Sequence, residues 1–317
     1  MESIIRDLLT PAYVSMVIRV TTPILFAALA ALVAEKSGLF NIGVEGIMLI
    51  AALTGVVVSA KTGNTYLGLL AAIVAGSLGG FMIAYAVISL KTDAVISGIA
   101  MNMIGSGGTV FLLYILTGNK GISSTLKSGV IPAINIPLIK DIPILGEIIS
   151  GQNLMTYLAF LMVYLMWFFL NKTPLGLRIR AVGENEHAAD SVGVFVNKTR
   201  YIALLISGAL AGMGGAYMSM GYVSWFSKDM TAGRGFIGLA AMTLGGVKPV
   251  GSMLASLLFG MADALTNYLQ SIGLPSLFLL TIPYIVTLLG LVLYAVRKKQ
   301  QLAAKSKPSE AKAGKKS

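Results

Sequence analysis

Residues 180–194 read RAVGENEHAADSVGV and hold the chain's single histidine, His187, together with the carboxylates of Glu184, Glu186 and Asp190. Imidazole beside carboxylate is the pairing of general acid–base catalysis and of metal ligation. A metal centre, however, needs several convergent ligands, and a chain with one histidine and no cysteine cannot supply them from its imidazoles and thiolates. His187 in such a loop reads as solvated, so no catalytic residue, metal ligand or cofactor-binding residue is expected. The segment carries a different signal, that of a short capped helix. Asn185 can accept a free amide of the following turn as N-cap. Glu186, and Asp190 less so, bring negative charge to the positive helix start. Gly193 suits the left-handed residue that closes a helix. The predicted helix runs from Glu186 to Val192 with Ala188, Ala189 and Val192 on one side. Two turns do not persist alone. Either the segment is a solvated connector, or surrounding protein holds it with its small-residue face in a groove.

Other chemistry-bearing residues lie in apolar surroundings. GRGFIG at 233–238 matches the glycine spacing of dinucleotide loops, but no strand precedes it and an apolar segment follows, so its glycines are read as allowing close backbone approach at a bend. No G-x-x-x-x-G-K-[ST] sequence occurs, so ATP hydrolysis is not expected of this chain. Asn41 and Glu45 stand four apart, as do Asp263 and Asn267, and Asn102 sits in GIAMNMIGSGG. Polar groups inside apolar spans are costly and mark either a substrate path or helix–helix hydrogen bonding. Trp225 and Phe226, in YVSWFSKD, suggest an interfacial aromatic belt or a stacking surface for a planar substrate.

These residues must be positioned by membrane helices. The 317 residues are 56% hydrophobic and 12% charged, with a mean hydropathy of +0.82, whereas a soluble domain carries roughly a quarter charged residues. Continuous apolar runs of the length that crosses hydrocarbon exclude a barrel, whose strands alternate. The runs fall at about 12–34, 41–60, 66–90, 94–118, 153–171, 201–222, 235–247, 250–269 and 276–296. The fold class is therefore all-α, a polytopic membrane helix bundle of about nine segments in which 235–247 is a short or broken helix. Residues 1–296 form one transmembrane domain with a 172–200 loop, and the basic stretch 297–317 reads as a disordered cytoplasmic tail.

A net charge of +11 would direct a soluble protein toward nucleic acid. In a membrane protein, Lys and Arg instead accumulate on the cytoplasmic side, and nucleic acid is not an expected partner. Placing the 172–200 loop and the tail inside leaves an even number of crossings between them and sets the N-terminus outside. Gly76–Gly80 and Gly208–Gly212 let helices approach closely, either within one bundle or between subunits. The 119–152 stretch reads as an external loop with room for a short helix.

Two long motifs carry a resemblance. NKTPLGLRIRAVGENEHAADSVGVFVNKTRY (171–201) and DMTAGRGFIGLAAMTLGGVKPVGSMLASLLFG (229–260) are similar to the loop and the later signature of permease subunits of ABC importers for simple sugars, nucleosides and branched-chain amino acids. SGLFNIGVEGIM (37–48) resembles the nucleoside branch. The resemblance implies a coupling helix, Glu184 to Gly193, received by a cytoplasmic ATPase that binds ATP and Mg. Ala188 and Ala189 would pack into that partner, Gly183, Glu184, Asn185, Glu186 and Gly193 would belong to the same ATPase-coupling set, and Arg178 and Arg180 would anchor its approach at the membrane surface. It also implies a second permease subunit, identical or related, an extracytoplasmic substrate-binding lipoprotein, and location in the cell membrane. A sugar or amino acid cargo stays open. So does an ion-coupled transporter or channel, in which Glu45 and Asp263 would carry protons or ions.

Overall fold

A computed structural model describes residues 10–137 and 145–271, with single positions at 281, 285, 288, 290 and 292. The apolar segment 276–296 and the tail 297–317 lie outside the continuously described residues. Among those described, seven helices are long and apolar enough to cross a membrane, and an eighth apolar helix is shorter.

Helix α1 (Pro11–Lys36) starts on Thr10, whose side chain accepts the Tyr13 amide, and from Thr21 to Ala34 it is buried on every side. A helix that is apolar all round belongs at a bundle centre. Pro23 lies inside it and cannot donate to the Arg19 carbonyl four residues back. The Tyr217 hydroxyl donates to that carbonyl instead, at 2.8 Å, so the defect is satisfied by protein rather than by lipid. The helix closes through Ser37 and the left-handed Gly38.

Helices α2 (Val44–Thr62) and α3 (Thr65–Ser89) follow, joined at the left-handed Gly63 and the N-cap Asn64. Next comes α4 (Ala94–Thr117), capped by Asp93, with a π-helical turn at Ile104–Gly108. A two-stranded antiparallel ladder of β1 (Ala133–Ile134) and β2 (Gln152–Asn153) brackets the short α5 (Leu145–Ile149). The Asn153 side-chain amide donates to Ile131 O and Gly221 O, which lays this loop over the bundle end. Helix α6 (Leu154–Lys172) then crosses. Two short helices, α7 (Pro174–Glu184) and α8 (Glu186–Ser191), lead into α9 (Val196–Met220). The short apolar helix is α10 (Arg234–Leu244), and α11 (Pro249–Ser271) is the last continuously described.

The four-residue glycine spacing serves the bundle itself. A Cβ on Gly76 or Gly80 would collide with the backbone of Gly208 or Leu204, and one on Gly208 with Gly76. Helices α3 and α9 thus cross backbone to backbone, within one chain.

Candidate functional site

Two places gather the polar residues singled out above. The first lies where α2, α4 and α10 meet. The carboxylate of Glu45, in the first turn of α2, turns onto the start of α10. Its Oε1 accepts from Thr231 Oγ1 at 2.6 Å and from the Gly233 amide at 2.8 Å; its Oε2 accepts from the Gly235 amide at 2.6 Å. Gly233 is left-handed, φ 80°, and offers no side-chain cap of its own. A buried anion therefore caps the positive end of a short membrane helix. The GRGFIG glycines do permit close approach, as expected, and what approaches is Glu45: a Cβ on Gly235 would strike its side chain and backbone.

Asn102 works in the same way on α2. Its Oδ1 accepts from the Gly46 amide at 2.8 Å and its Nδ2 donates to the Ile42 carbonyl at 3.1 Å. Asn41 accepts the Gly43 amide and donates to Ser207 Oγ. Glycine at the α2 N-cap has nothing to offer, so two asparagines supply the acceptors. Asp263 on α11 forms an ion pair with Arg234 at 2.7 Å, in which both side chains are largely buried. Asn267 stands one turn further along α11, half-buried. Each of the four residues with a hydrogen-bond partner here braces a helix end or a helix crossing.

Around this brace lies a cavity of about 390 Å³. Glu45 and Asn102 line it, joined by Ser106, Asp229, Gly233 and Phe236, and it opens beside the exposed side chains of Ile99 and Met103. Asp229 and Ala232 both have positive φ, 52° and 47°, which non-glycine residues adopt only when the surrounding structure holds them there. Ser106, Asp229, Arg234 and Phe236 were not among the site residues expected from sequence. Their residue types are ordinary: the π-helical turn of α4 brings Ser106 to the cavity, the turn before α10 and its first residues bring Asp229 and Phe236, and Arg234 faces Asp263 instead. Trp225 lies elsewhere, exposed in the loop after α9. Its neighbour Phe226 is fully buried and exchanges backbone and side-chain hydrogen bonds with Ser123 in the loop after α4, so Phe226 is core rather than belt.

The second place is the α7–α8 elbow at the other end of α10. Thr173 caps α7, accepting the Gly176 amide at 3.1 Å, with Pro174 at the first helical position. Asn185 ends α7 and starts α8: its amide donates to Ala181 O, and its side chain accepts the Ala188 amide at 3.0 Å. Helix α8 stops at Ser191, one residue short of the predicted end. Gly193 then closes it at φ 81°, its amide donating to Asp190 O.

The elbow is held on both sides. A Cβ on Gly183 would collide with Lys36 and Gly38, so α7 seats directly on the end of α1. Glu186 pairs with Arg200 on α9 at 2.6 Å, and Arg200 Nε donates to Ser37 O. Arg180 donates to Asn171 Oδ1 at 2.9 Å, whereas Arg178 is exposed. Here the small-residue face differs from expectation. Ala189 is 3% exposed and packs against its own chain, because it must seat a helix too short to stand alone. Ala188 remains exposed, and the apolar surface offered outward comes from Val192 (79% exposed) and Phe195 (77%). A cleft of about 690 Å³ runs beside it, between α8 and the start of α9, and is lined by His187 and Asp190 among others.

The chain is 38% identical to the guanosine ABC transporter permease protein NupQ of Bacillus subtilis (strain 168), over 85% of this chain and 87% of that one. It is 36% identical to the nucleoside ABC transporter permease protein NupC of Lactococcus lactis subsp. cremoris (strain MG1363), covering 86% and 89%. A candidate glucose ABC transporter permease protein, TsgC13 of Haloferax volcanii, is 37% identical over 81% and 77%. Among solved structures, PsaBC from Streptococcus pneumoniae in complex with Fab aligns with a TM-score of 0.51 over 87% of this chain and 89% of that chain. Its identity of 15% makes this a likeness of fold. Residues 13–297 match the family described as branched-chain amino acid transport system / permease component, and the multi-pass chain built around the α10 brace and the α7–α8 elbow belongs to that family of transport permeases.

Proposed function

We propose that this chain is one permease half of an ATP-driven nucleoside importer, and that it catalyses no bond chemistry itself. The observation that carries the reading is the elbow. A helix too short to be stable alone is clamped onto α1 and α9, yet it leaves Val192 and Phe195 almost bare beside a charged rim. Exposed apolar surface rimmed by polar groups is characteristic of a protein docking site. A cytoplasmic ATPase subunit binding ATP and Mg would receive it, contacting Ala188 and the Glu184–Gly193 segment. Its closure would push on α1 and α9 together. The elbow and the tail then lie inside and the N-terminus outside.

Cargo would pass the α2–α4–α10 cavity, open on the side where a second permease subunit completes it. Phe236 offers a stacking face there, and Asp229 and Ser106 offer hydrogen-bonding groups, as a nucleoside requires. Substrate would arrive from a binding lipoprotein. The nucleoside reading is supported by what NupQ and NupC are named for and by SGLFNIGVEGIM; the name of TsgC13 makes a sugar the competitor.

Uptake of labelled guanosine into cells expressing the full transporter tests cargo and energy source together. Unlabelled nucleosides should compete and glucose should not, and ATP depletion should stop uptake. Competition by glucose alone would replace the cargo. Uptake that survives ATP depletion but falls with the proton gradient would replace the mechanism. Because the chain has no cysteine, a single Asp190→Cys can be labelled without background. Labelling by an impermeant maleimide from outside intact cells would refute the orientation.

A further inference from the structure

A pocket of about 360 Å³ lies between the ends of α1, α6 and α7 and the start of α11. Three cations surround it: Lys36 on α1, Arg180 on α7 and Lys248 in the turn before α11. They are close enough that Arg180 and Lys248 both act electrostatically on Lys36. Glu35 and Glu184 act on Lys36 in the opposite sense, but neither lines the pocket. Among the described residues the two ion pairs that form are Arg200–Glu186 and Arg234–Asp263, so none of these three cations has a carboxylate at bonding distance. Arg180 is aimed by Asn171, which also lines the pocket. The backbone turns sharply just before Lys248, with Val247 at φ 54°, rare for a β-branched residue.

The other wall is apolar. Trp167 on α6 and Val250 on α11 line the pocket and are 40% and 50% exposed. Tryptophan at the end of a span sits at headgroup depth. A pocket whose three cations have no carboxylate at bonding distance and whose apolar rim is exposed fits an amphiphile with an anionic head. We propose that it binds the headgroup of an anionic phospholipid, with the phosphodiester among Lys36, Arg180 and Lys248 and the chains passing over Trp167 and Val250. A free anion would use the cations and leave the apolar rim idle. With the orientation proposed above, this headgroup lies in the cytoplasmic leaflet, and only that placement rests on the proposed function. Lipid bound here would tie α7, and so the elbow, to the turn between α10 and α11.

The test uses full-length protein in neutral detergent, with phosphatidylglycerol or phosphatidylcholine titrated in and bound lipid counted by native mass spectrometry. One phosphatidylglycerol should be retained in preference to phosphatidylcholine. Lys36→Gln and Lys248→Gln should each weaken it about fivefold, the worth of one basic residue near an anionic headgroup. Lys198→Gln, the same charge change in the other cleft, should leave it unchanged. Undiminished retention in the Lys36→Gln/Lys248→Gln variant overturns the assignment, as does inorganic phosphate displacing the lipid at equal concentration, which would give the pocket to free anions. A second measurement needs no pocket variant. In Trp225→Phe, Trp167 is the sole tryptophan, and brominated phosphatidylglycerol should quench it at a lower lipid fraction than brominated phosphatidylcholine. Equal quenching would also overturn the proposal. Neither readout involves transport, so failure of either leaves the importer reading untouched.

Discussion

Glu45→Ala separates a bracing role from a substrate-contacting one. The carboxylate is only 8% exposed and accepts from two backbone amides and one hydroxyl. Truncation leaves the buried Gly235 amide without its acceptor, whereas the part-buried Gly233 amide lies at the cavity wall within reach of water. An unpaired buried donor costs roughly 1–3 kcal/mol, and losing a negative charge at a helix N-terminus costs roughly another 1 kcal/mol. The Thr231 hydroxyl can rotate toward another acceptor and adds little. The expected loss is thus about 2–4 kcal/mol. Glu45→Gln keeps one carbonyl acceptor but points an NH2 group at an amide, so it should lose about half as much. The assay is denaturant unfolding of the reconstituted protein, paired with nucleoside uptake and with maleimide labelling of a cysteine at Ser106. Uptake should fall in step with stability, and labelling should rise as α10 loosens, while ATPase copurification persists. If Glu45→Ala unfolds within about 0.5 kcal/mol of the parent and yet loses uptake, Glu45 contacts cargo and the bracing argument is wrong.

Three further outcomes are expected. Asp263→Asn strands the Arg234 guanidinium in a largely buried site and should destabilise by about 3–5 kcal/mol, with Asp263→Leu/Arg234→Met recovering much of the loss in the same unfolding assay. Gly208→Leu drives a side chain into the backbone of Gly76 and Gly80, so overpacking should cost at least about 1–3 kcal/mol and depress yield of folded protein by gel filtration. Ala188→Trp, at an exposed position of α8, should leave unfolding unchanged but abolish ATPase copurification and uptake; normal transport by that variant would remove the elbow as docking element.

Much of this architecture was legible from residue types alone. Among the described residues, the placement of the seven long apolar helices follows from apolar run length, because hydrocarbon of fixed thickness accepts a helix only when all its backbone groups bond internally. The start and close of α8 at Asn185 and Gly193 were equally legible, since caps are local hydrogen bonding and local φ. Which partner each polar residue finds is decided by tertiary contact. Asn41, Glu45, Asn102 and Asp263 could line a path or join helices, and the pattern of spacings is the same for both. Their partners, Ser207, Gly233 and Gly235, Gly46 and Arg234, lie 29 to 190 positions away. The side to which Ala189 turns depended likewise on where α1 and α9 stood. Local chemistry dictates elements; which face of each is spent on the fold and which remains for a partner is decided only when distant segments meet.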